Sequence, residues 1–367
     1  MNGRVLFLDQ YNQLGGAQRC LLDLLPAFLE AGYVAHLAIP DGGPLNDAAR
    51  RLGVTTHSIP CGAYTPGRKG WRDAACFGAD LPRQAWRIAS LVSEHRVDLI
   101  YVNGPRLLPA AALGARGRAV VFHAHSVVAQ EAAVRLSRWA LRSTNAAVIA
   151  ACRFVLAPLM AAIQKGRSRV IYNGVARMEC APHRRSNNDP FRVGVIGRIA
   201  PEKGQLEFIH AARLVQREQR WEFVVCGDAL FSNPEYGRRV RHEAEGLPIE
   251  FTGWRDDIRD VLSTLDVVVV PSAAVDATPR VILEAFSAGV PVVAFRSGGI
   301  PEIIEDGVTG VLSAPTPPDL AATLLELFSK GSALLDGISA RARATFAARF
   351  TLDRYRAEVL DAIGSVL

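Results

Sequence analysis

The chain alternates two hydrophobic patterns. Short apolar runs recur, bounded by polar or glycine-containing stretches, and between them apolar residues return at helical spacing. Residues 5–8 form such a run, as expected of a strand buried on both faces. Gly15 and Gly16 follow, then apolar positions at Cys20, Leu21, Leu24, Leu25 and Phe28, one helical face that Gly32 ends. Further strands are predicted over 34–39, 99–102, 120–125 and 147–151. A polar, proline-containing stretch, 179–190, reads as a linker. After it the alternation restarts, with strands over 191–196, 222–226, 249–252, 267–270 and 290–295 and helices over 205–215 and 281–287. Helices over 318–327, 332–348 and 352–367 close the chain. Strands alternating with helices predict βαβ units and parallel sheets. The fold class is α/β, in two similar domains, 1–178 and 190–350, a layout that favours ligand binding in a crevice between them.

Composition narrows the picture. Of 367 residues 49% are apolar, enough for sizeable cores and too many for a disordered chain. The net charge of +6 is unevenly divided: residues 1–180 carry 21 basic and 11 acidic side chains, the remainder 21 and 25. The two halves therefore meet different partners, or different faces of one. Only four of the 42 cations are Lys. No run of eighteen apolar residues is free of charge and proline, so no transmembrane helix is expected. The first apolar run stops at Asp9, too soon for a signal peptide. Six scattered cysteines (Cys20, Cys61, Cys76, Cys152, Cys180, Cys226) read as buried thiols in a reducing, cytoplasmic setting.

Five places can carry chemistry. Gly15-Gly16 opens a helix, where backbone N–H groups and the positive dipole end suit a diphosphate; a plain tight turn fits as well. Gly197 to Gly204 brings Arg198 and Lys203 into one glycine-flanked turn between a strand and a helix, where they can neutralise a leaving diphosphate without a metal. Asp276 and Glu284 follow the four-valine strand, the first in a loop, the second on a helix where a carboxylate accepts ribose hydroxyls. His123 and His125 share one strand face. His123 reads as a core residue and His125, at the strand end, as functional; no third ligand has matching spacing, so no metal is expected. Arg135, Arg138, Trp139 and Arg142 line one helical face, either an ordinary solvated surface or a basic, aromatic-tipped one for anionic lipid headgroups. No nucleic-acid-binding motif accompanies this charge, and no nucleic-acid partner is expected.

Taken together, these pieces resemble the retaining nucleotide-sugar glycosyltransferases of family 4, with the GT-B fold. The resemblance covers nearly the whole chain. It rests on Gly15-Gly16-Ala17, on Val170-Ile171-Tyr172-Asn173-Gly174-Val175, on Gly197-Arg198 with Lys203-Gly204, and on Phe251-Thr252-Gly253-Trp254-Arg255. The most specific set is Arg280-Val281-Ile282-Leu283-Glu284-Ala285 with Gly289-Val290-Pro291 and Gly298-Gly299-Ile300-Pro301-Glu302. The resemblance implies two Rossmann-like domains with parallel sheets facing across a cleft, the helix from Leu352 crossing back onto the first. It implies a UDP- or GDP-linked sugar as co-substrate, no other cofactor, and a saccharide or lipid-linked acceptor at the inner membrane face. By position, Arg198 and Lys203 would bind the diphosphate with Gly15, Gly16 and Gly197, and Glu284 would hold the ribose. Gly227, Trp254 and Arg255 would flank the base, and Asp276, Thr278 and His125 would lie near the reacting sugar. Asp276 stands where the family usually has Glu, and Pro279 lacks an N–H that many members use on sugar hydroxyls. No D-x-D motif occurs, which points to a metal-independent reaction. A nucleotide-sugar epimerase of the same fold and a weakly active sugar-nucleotide-binding protein are the alternatives.

Overall fold

The structure, a computed structural model, describes residues 3–62, 70–178, 180, 189–216, 221–229, 234–272 and 276–367. Most of the expected linker, 179 and 181–188, lies outside the described residues. The chain divides into two compact units: Met1–Asn173 with Leu352–Leu367, and Gly174–Thr351.

The first unit is built on a seven-stranded parallel sheet: β1 (Arg4–Leu8), β2 (Val34–Ile39), β3 (Thr55–Ser58), β4 (Leu99–Val102), β5 (Ala119–Ala124), β6 (Ala147–Ala150) and β7 (Ser168–Val170). Their spatial order is β3-β2-β1-β4-β5-β6-β7. β1 and β4 are apolar throughout because helices cover both sheet faces, and Val5 to Leu8 and Leu99 to Val102 are fully buried. The helix Gly16–Glu30 presents the expected stripe, Cys20, Leu21, Leu24, Leu25 and Phe28, to that sheet. Phe28 meets Phe7 edge to face at 5.0 Å. Tyr355, Val359 and Ile363 of the helix Leu352–Gly364 fill the same core and are fully buried. Each such side chain contributes about 1.5–3 kcal/mol of apolar burial.

The second unit repeats the scheme with six parallel strands: β8 (Phe191–Ile196), β9 (Trp221–Cys226), β10 (Ile249–Gly253), β11 (Val267–Val270), β12 (Val292–Phe295) and β13 (Val311–Ser313), in the order β10-β9-β8-β11-β12-β13. Phe208 and Ile209 of the helix Gln205–Val215 and Leu320 and Leu324 of the helix Pro317–Lys330 pack on one face of it. In both sheets the order reverses at the first strand of the unit, between β1 and β4 and between β8 and β11. Crevices at the carboxyl ends of such strand pairs are where open α/β sheets bind ligands.

Two expectations need correction. The cysteines are all free, but only Cys20, Cys152 and Cys226 are buried; Cys76, on the helix Trp71–Glu94, is exposed. His125 is not in a strand, because β5 ends at Ala124.

Candidate functional site

The β1/β4 reversal gathers a buried polar network. Asp9 directly follows β1 and Asn103 directly follows β4; the register sets Leu8 beside Val102, so the two side chains leave the sheet together. Asp9 is fully buried and Asn103 nearly so. Asn103 Nδ2 donates to Asp9 Oδ2 at 2.6 Å. Gln18 Nε2 donates to both Asp9 oxygens at 2.9 and 3.0 Å, and Tyr11 N to Oδ1 at 2.9 Å. Gln18 Oε1 turns back to accept from Gly15 N at 3.2 Å, so the glycine turn before the helix is tied to the same acid.

Burial pushes the Asp9 carboxyl up to about 6 against the opposing pull of its hydrogen bonds from Asn103, Tyr11 and Gln18. At neutral pH it is ionised and accepts only. Asn103 therefore turns its amide nitrogen to Asp9 and its oxygen to His125, 2.8 Å from Nε2. An amide oxygen accepts only, so His125 Nε2 carries a proton and donates it to Asn103. Its neighbour His123, its ring 3.8 Å away, is a core residue: fully buried, bonded through Nδ1 to the Tyr101 hydroxyl, and held neutral by burial. His125 is thus held in place through Asn103, Asp9 and Gln18, residues that periodicity did not single out. Their one visible signal is a lone polar residue at the end of an apolar run.

Gly16 is the first residue of its helix, and a methyl group there would meet nothing within 4 Å. Arg135, Arg138, Trp139 and Arg142 line one open hollow on the helix Glu131–Thr144. Trp139 is 43% exposed. The cations are partly engaged: Arg138 Nε donates to Pro158 O at 2.9 Å, Arg142 Nη2 to Ala161 O at 3.0 Å, and Arg135 pairs with Glu131 at 3.2 Å.

The β8/β11 reversal in the second unit is made of charge. Lys203 Nζ donates to Asp276 Oδ2 at 2.6 Å, joining the loop after β8 to the loop after β11. Arg198, in the same loop as Lys203, bonds Glu202, and Arg280 lies 3.7 Å from Glu284 one turn along its helix. The Lys203 and Arg198 side chains remain about a third exposed. The loops themselves are locked. Gly204 has a φ of 73°, and a methyl group there would sit 1.9 Å from Pro271 O. Gly227 has a φ of 144°, and a methyl group would fall 2.0 Å from Gly197 O. Only glycine fits either position. Gly227 N donates to Gly253 O at 2.8 Å, which draws in Trp254 and Arg255. Trp254 is 38% exposed, while Arg255 Nε donates to Asp257 Oδ1 at 2.6 Å. Thr278 is buried just beyond Asp276. Gly197, Arg198, Lys203, Gly227, Trp254, Arg255, Asp276 and Thr278 thus all lie on loops at the carboxyl ends of β8 to β11. Glu284 sits on the helix Arg280–Ala288 that leaves the last of those loops. Gly15, Gly16 and His125 belong to the other unit.

Known proteins resemble the chain over both units. A family model described as "Glycosyltransferase Family 4" matches residues 14–177, and one described as "Glycosyl transferases group 1" matches residues 190–330. A sulfoquinovosyl transferase from Arabidopsis thaliana is 35% identical over 158 residues, 41% of this chain and 29% of that protein. A D-inositol 3-phosphate glycosyltransferase from Mycolicibacterium vanbaalenii is 37% identical over 177 residues, 44% of this chain and 38% of that protein. The chain thus spans well under half the length of these curated relatives. The Anabaena protein HepE, solved with UDP and glucose, superposes with a TM-score of 0.82 at 24% identity, covering 99% of this chain and 100% of its own. From the two family matches, one on each parallel-sheet unit, the chain belongs to the GT-B glycosyltransferases of the family 4 type.

Proposed function

We propose that the protein transfers a sugar from a nucleoside diphosphate to an acceptor hydroxyl with retention at the anomeric carbon. The observation that carries this reading is the charged reversal of the second sheet. Lys203 and Arg198 stand there on a glycine-locked turn, each paired with a carboxylate that an entering diphosphate can replace as anion. In the reaction the acceptor oxygen bonds to the anomeric carbon as the bond from that carbon to the phosphate oxygen breaks. The acceptor proton passes to the departing diphosphate. Lys203 and Arg198 stabilise the charge that collects on it, so catalysis is electrostatic and positional and needs no metal. Glu284 accepts the ribose hydroxyls, and the segment from Gly227 to Arg255 flanks the base. Asp276 and Thr278 face the sugar. Freed of Lys203 by the incoming phosphate, Asp276 becomes an acceptor for a sugar hydroxyl. Of the first unit we assign to the reaction His125, whose Nε2 is held by Asn103 and through it by Asp9, and the glycine turn Gly15-Gly16, where Gly16 has nothing within 4 Å of an added methyl.

HepE was solved with UDP and with UDP-glucose, which makes UDP-sugars the first donors to try, ahead of GDP-sugars. A thermal-shift panel of nucleotide sugars tests the donor, since binding raises the melting point by mass action. The proton NMR spectrum of the product reports the anomeric configuration. A product of inverted configuration, or donor binding with no turnover on any acceptor pool, overturns the reading.

The acceptor is a lipid-linked or polysaccharide hydroxyl, presented at the anionic inner face of the cytoplasmic membrane. The support is the exposed Trp139 among Arg135, Arg138 and Arg142, the arrangement by which basic aromatic surfaces hold headgroups. Among the described residues no helix is long and apolar enough to cross a membrane. Pelleting with vesicles containing phosphatidylglycerol at low salt, with release at high salt and loss in the Arg135→Ala/Trp139→Ala double variant, is the expected result. Failure to pellet overturns this part alone.

A further inference from the structure

Three histidines far apart in sequence meet in the first unit, away from the residues discussed so far. His36 lies on β2 and His57 on β3; the register sets His36 beside Thr55 and Ala38 beside His57, so both imidazoles point to the same sheet face one step apart. His95 caps the C-terminus of the helix Trp71–Glu94, at the opposite end of β4 from Asn103. Its backbone is fixed there by His95 N donating to Leu91 O at 3.0 Å and by Arg4 Nη1 donating to His95 O at 3.2 Å. The rings pack on one another with centroids 4.4 Å (His36–His95), 4.6 Å (His57–His95) and 5.2 Å (His36–His57) apart.

We infer that His36, His57 and His95 form a binding site for one divalent transition-metal ion of the zinc class. One nitrogen from each ring lies within 4.8 Å of the others. His36 Nδ1 and His57 Nε2 are 3.1 Å apart. Around a tetrahedral ion with metal–nitrogen bonds of about 2.0–2.1 Å, ligand nitrogens stand about 3.3 Å apart. Two of the three are thus at ligand spacing already, and rotation of the partly exposed His95 ring brings in the third.

The chemistry of the donors selects the ion. His36 is nearly buried, and burial together with the neighbouring His95 and Arg4 holds it in the neutral form. His57 is pushed down to about 4 by burial and by His95, His36 and Arg87. Neutral imidazoles offer lone pairs, and a set of three without an interior carboxylate suits Zn²⁺, Co²⁺, Ni²⁺ or Cu²⁺ and rejects Mg²⁺ and Ca²⁺. Glu94 Oε1, 3.6 Å from His95 Nε2, or a water completes the shell. Arg4 and Arg87 are the opposing charges. Both spend donors on carbonyls, Arg87 Nε on Ser58 O at 3.1 Å and Arg4 on His95 O, and they lower the affinity without blocking the site.

Without an ion the three rings share a single hydrogen bond, and His95 Nε2 is buried without one. With an ion, the edge strand β3 is tied through β2 to the end of the long helix. The role is structural, a cross-link at the sheet edge.

The test uses the untagged chain, stripped with a chelator and titrated with Co²⁺. The expected result is one Co²⁺ per chain, with visible bands of a four-coordinate, nitrogen-ligated ion and no thiolate charge-transfer band, and displacement by Zn²⁺. Zn²⁺ should also raise the melting point. His57→Gln and His95→Gln should each weaken Co²⁺ binding by about 10²-fold or more, the loss expected at minimum for a ligand, with unchanged circular dichroism. His95 lies at a helix end and is partly exposed, so its variant keeps the test sound if the strand variant does not fold. Absence of cobalt bands in the folded chain, or bands unaltered by His95→Gln, overturns the inference.

Discussion

The two sheets reverse their strand order in the same way, yet the chain puts opposite chemistry at the two reversals. In the first unit, Asp9, Gln18 and Asn103 form a nearly sealed network whose hydrogen bonds are spent on one another and on Tyr11, Gly15 and His125. In the second, Lys203 with Asp276 and Arg198 with Glu202 are ion pairs that solvent still reaches. A buried network of this kind gives fixed geometry, because every member is costly to unpair. Exposed pairs give little stability and are easily exchanged for a ligand's charges. The first arrangement suits holding a side chain such as His125 in one orientation; the second suits admitting and releasing an anion. One topology thus offers both a rigid locator and an exchangeable electrostatic clamp.

This contrast is open to direct attack. The largest effect expected is on turnover: Lys203→Ala should lower kcat by about 10³-fold, the upper range for removing one charge stabiliser, while moving stability by less than about 1 kcal/mol. Near-normal rates in steady-state assays, or a chain that no longer folds, would erase the distinction between clamp and locator. Next comes Asn103→Ala, which removes one of the hydrogen bonds to buried Asp9 and the bond that orients half-buried His125, while Gln18 and Tyr11 still hold Asp9. Urea unfolding should show a loss of about 1–3 kcal/mol.

A pH series sharpens the same point. The folded carboxyl of Asp9 is raised above its ordinary 3.8 to about 6, so between those values the folded chain binds more protons than the unfolded one. Its contribution is full below pH 4, declines as pH rises toward 6 and is flat above, a change of up to about 3 kcal/mol. Asp9→Asn should remove that slope, and a slope that persists would place the titration elsewhere. The smallest effect is at Gly16. Gly16→Ala should leave the stability in urea unfolding within about 0.5 kcal/mol of the parent, since an added methyl there meets nothing within 4 Å. Gly204→Ala should destabilise clearly, because its added methyl meets Pro271 O. Any activity lost in Gly16→Ala then belongs to the ligand.

Legibility followed the same divide. Continuous apolar runs such as 267–270 and a clean helical stripe such as 205–215 announce themselves, and the strands and helices so predicted stand within a few residues of where the pattern puts them, whereas β3, β7 and β13 were not predicted. Lys203 and Arg198 were visible because a glycine-flanked turn after a strand is a local signal, and Asp276 because it closely follows the four-valine run. The Asp9–Asn103 network was not, because the two residues are 94 apart and only the β1–β4 register joins them. The histidine cluster was hidden for the same reason. β3 itself escaped notice because Thr55 to Ser58 is polar, as an edge strand can be. The helix Trp71–Glu94 escaped because Gly78 and Pro82 break its helical pattern.

The helix Leu352–Gly364 has a consequence in time. Its Tyr355, Val359 and Ile363 complete the core of the first unit, yet the ribosome makes them only after all of Gly174–Thr351. At synthesis rates of about 5–20 residues per second, the newborn N-terminal sheet waits roughly 10–40 s with that part of its core exposed. In that interval it is a natural client for chaperones, and the second unit can finish folding before the first.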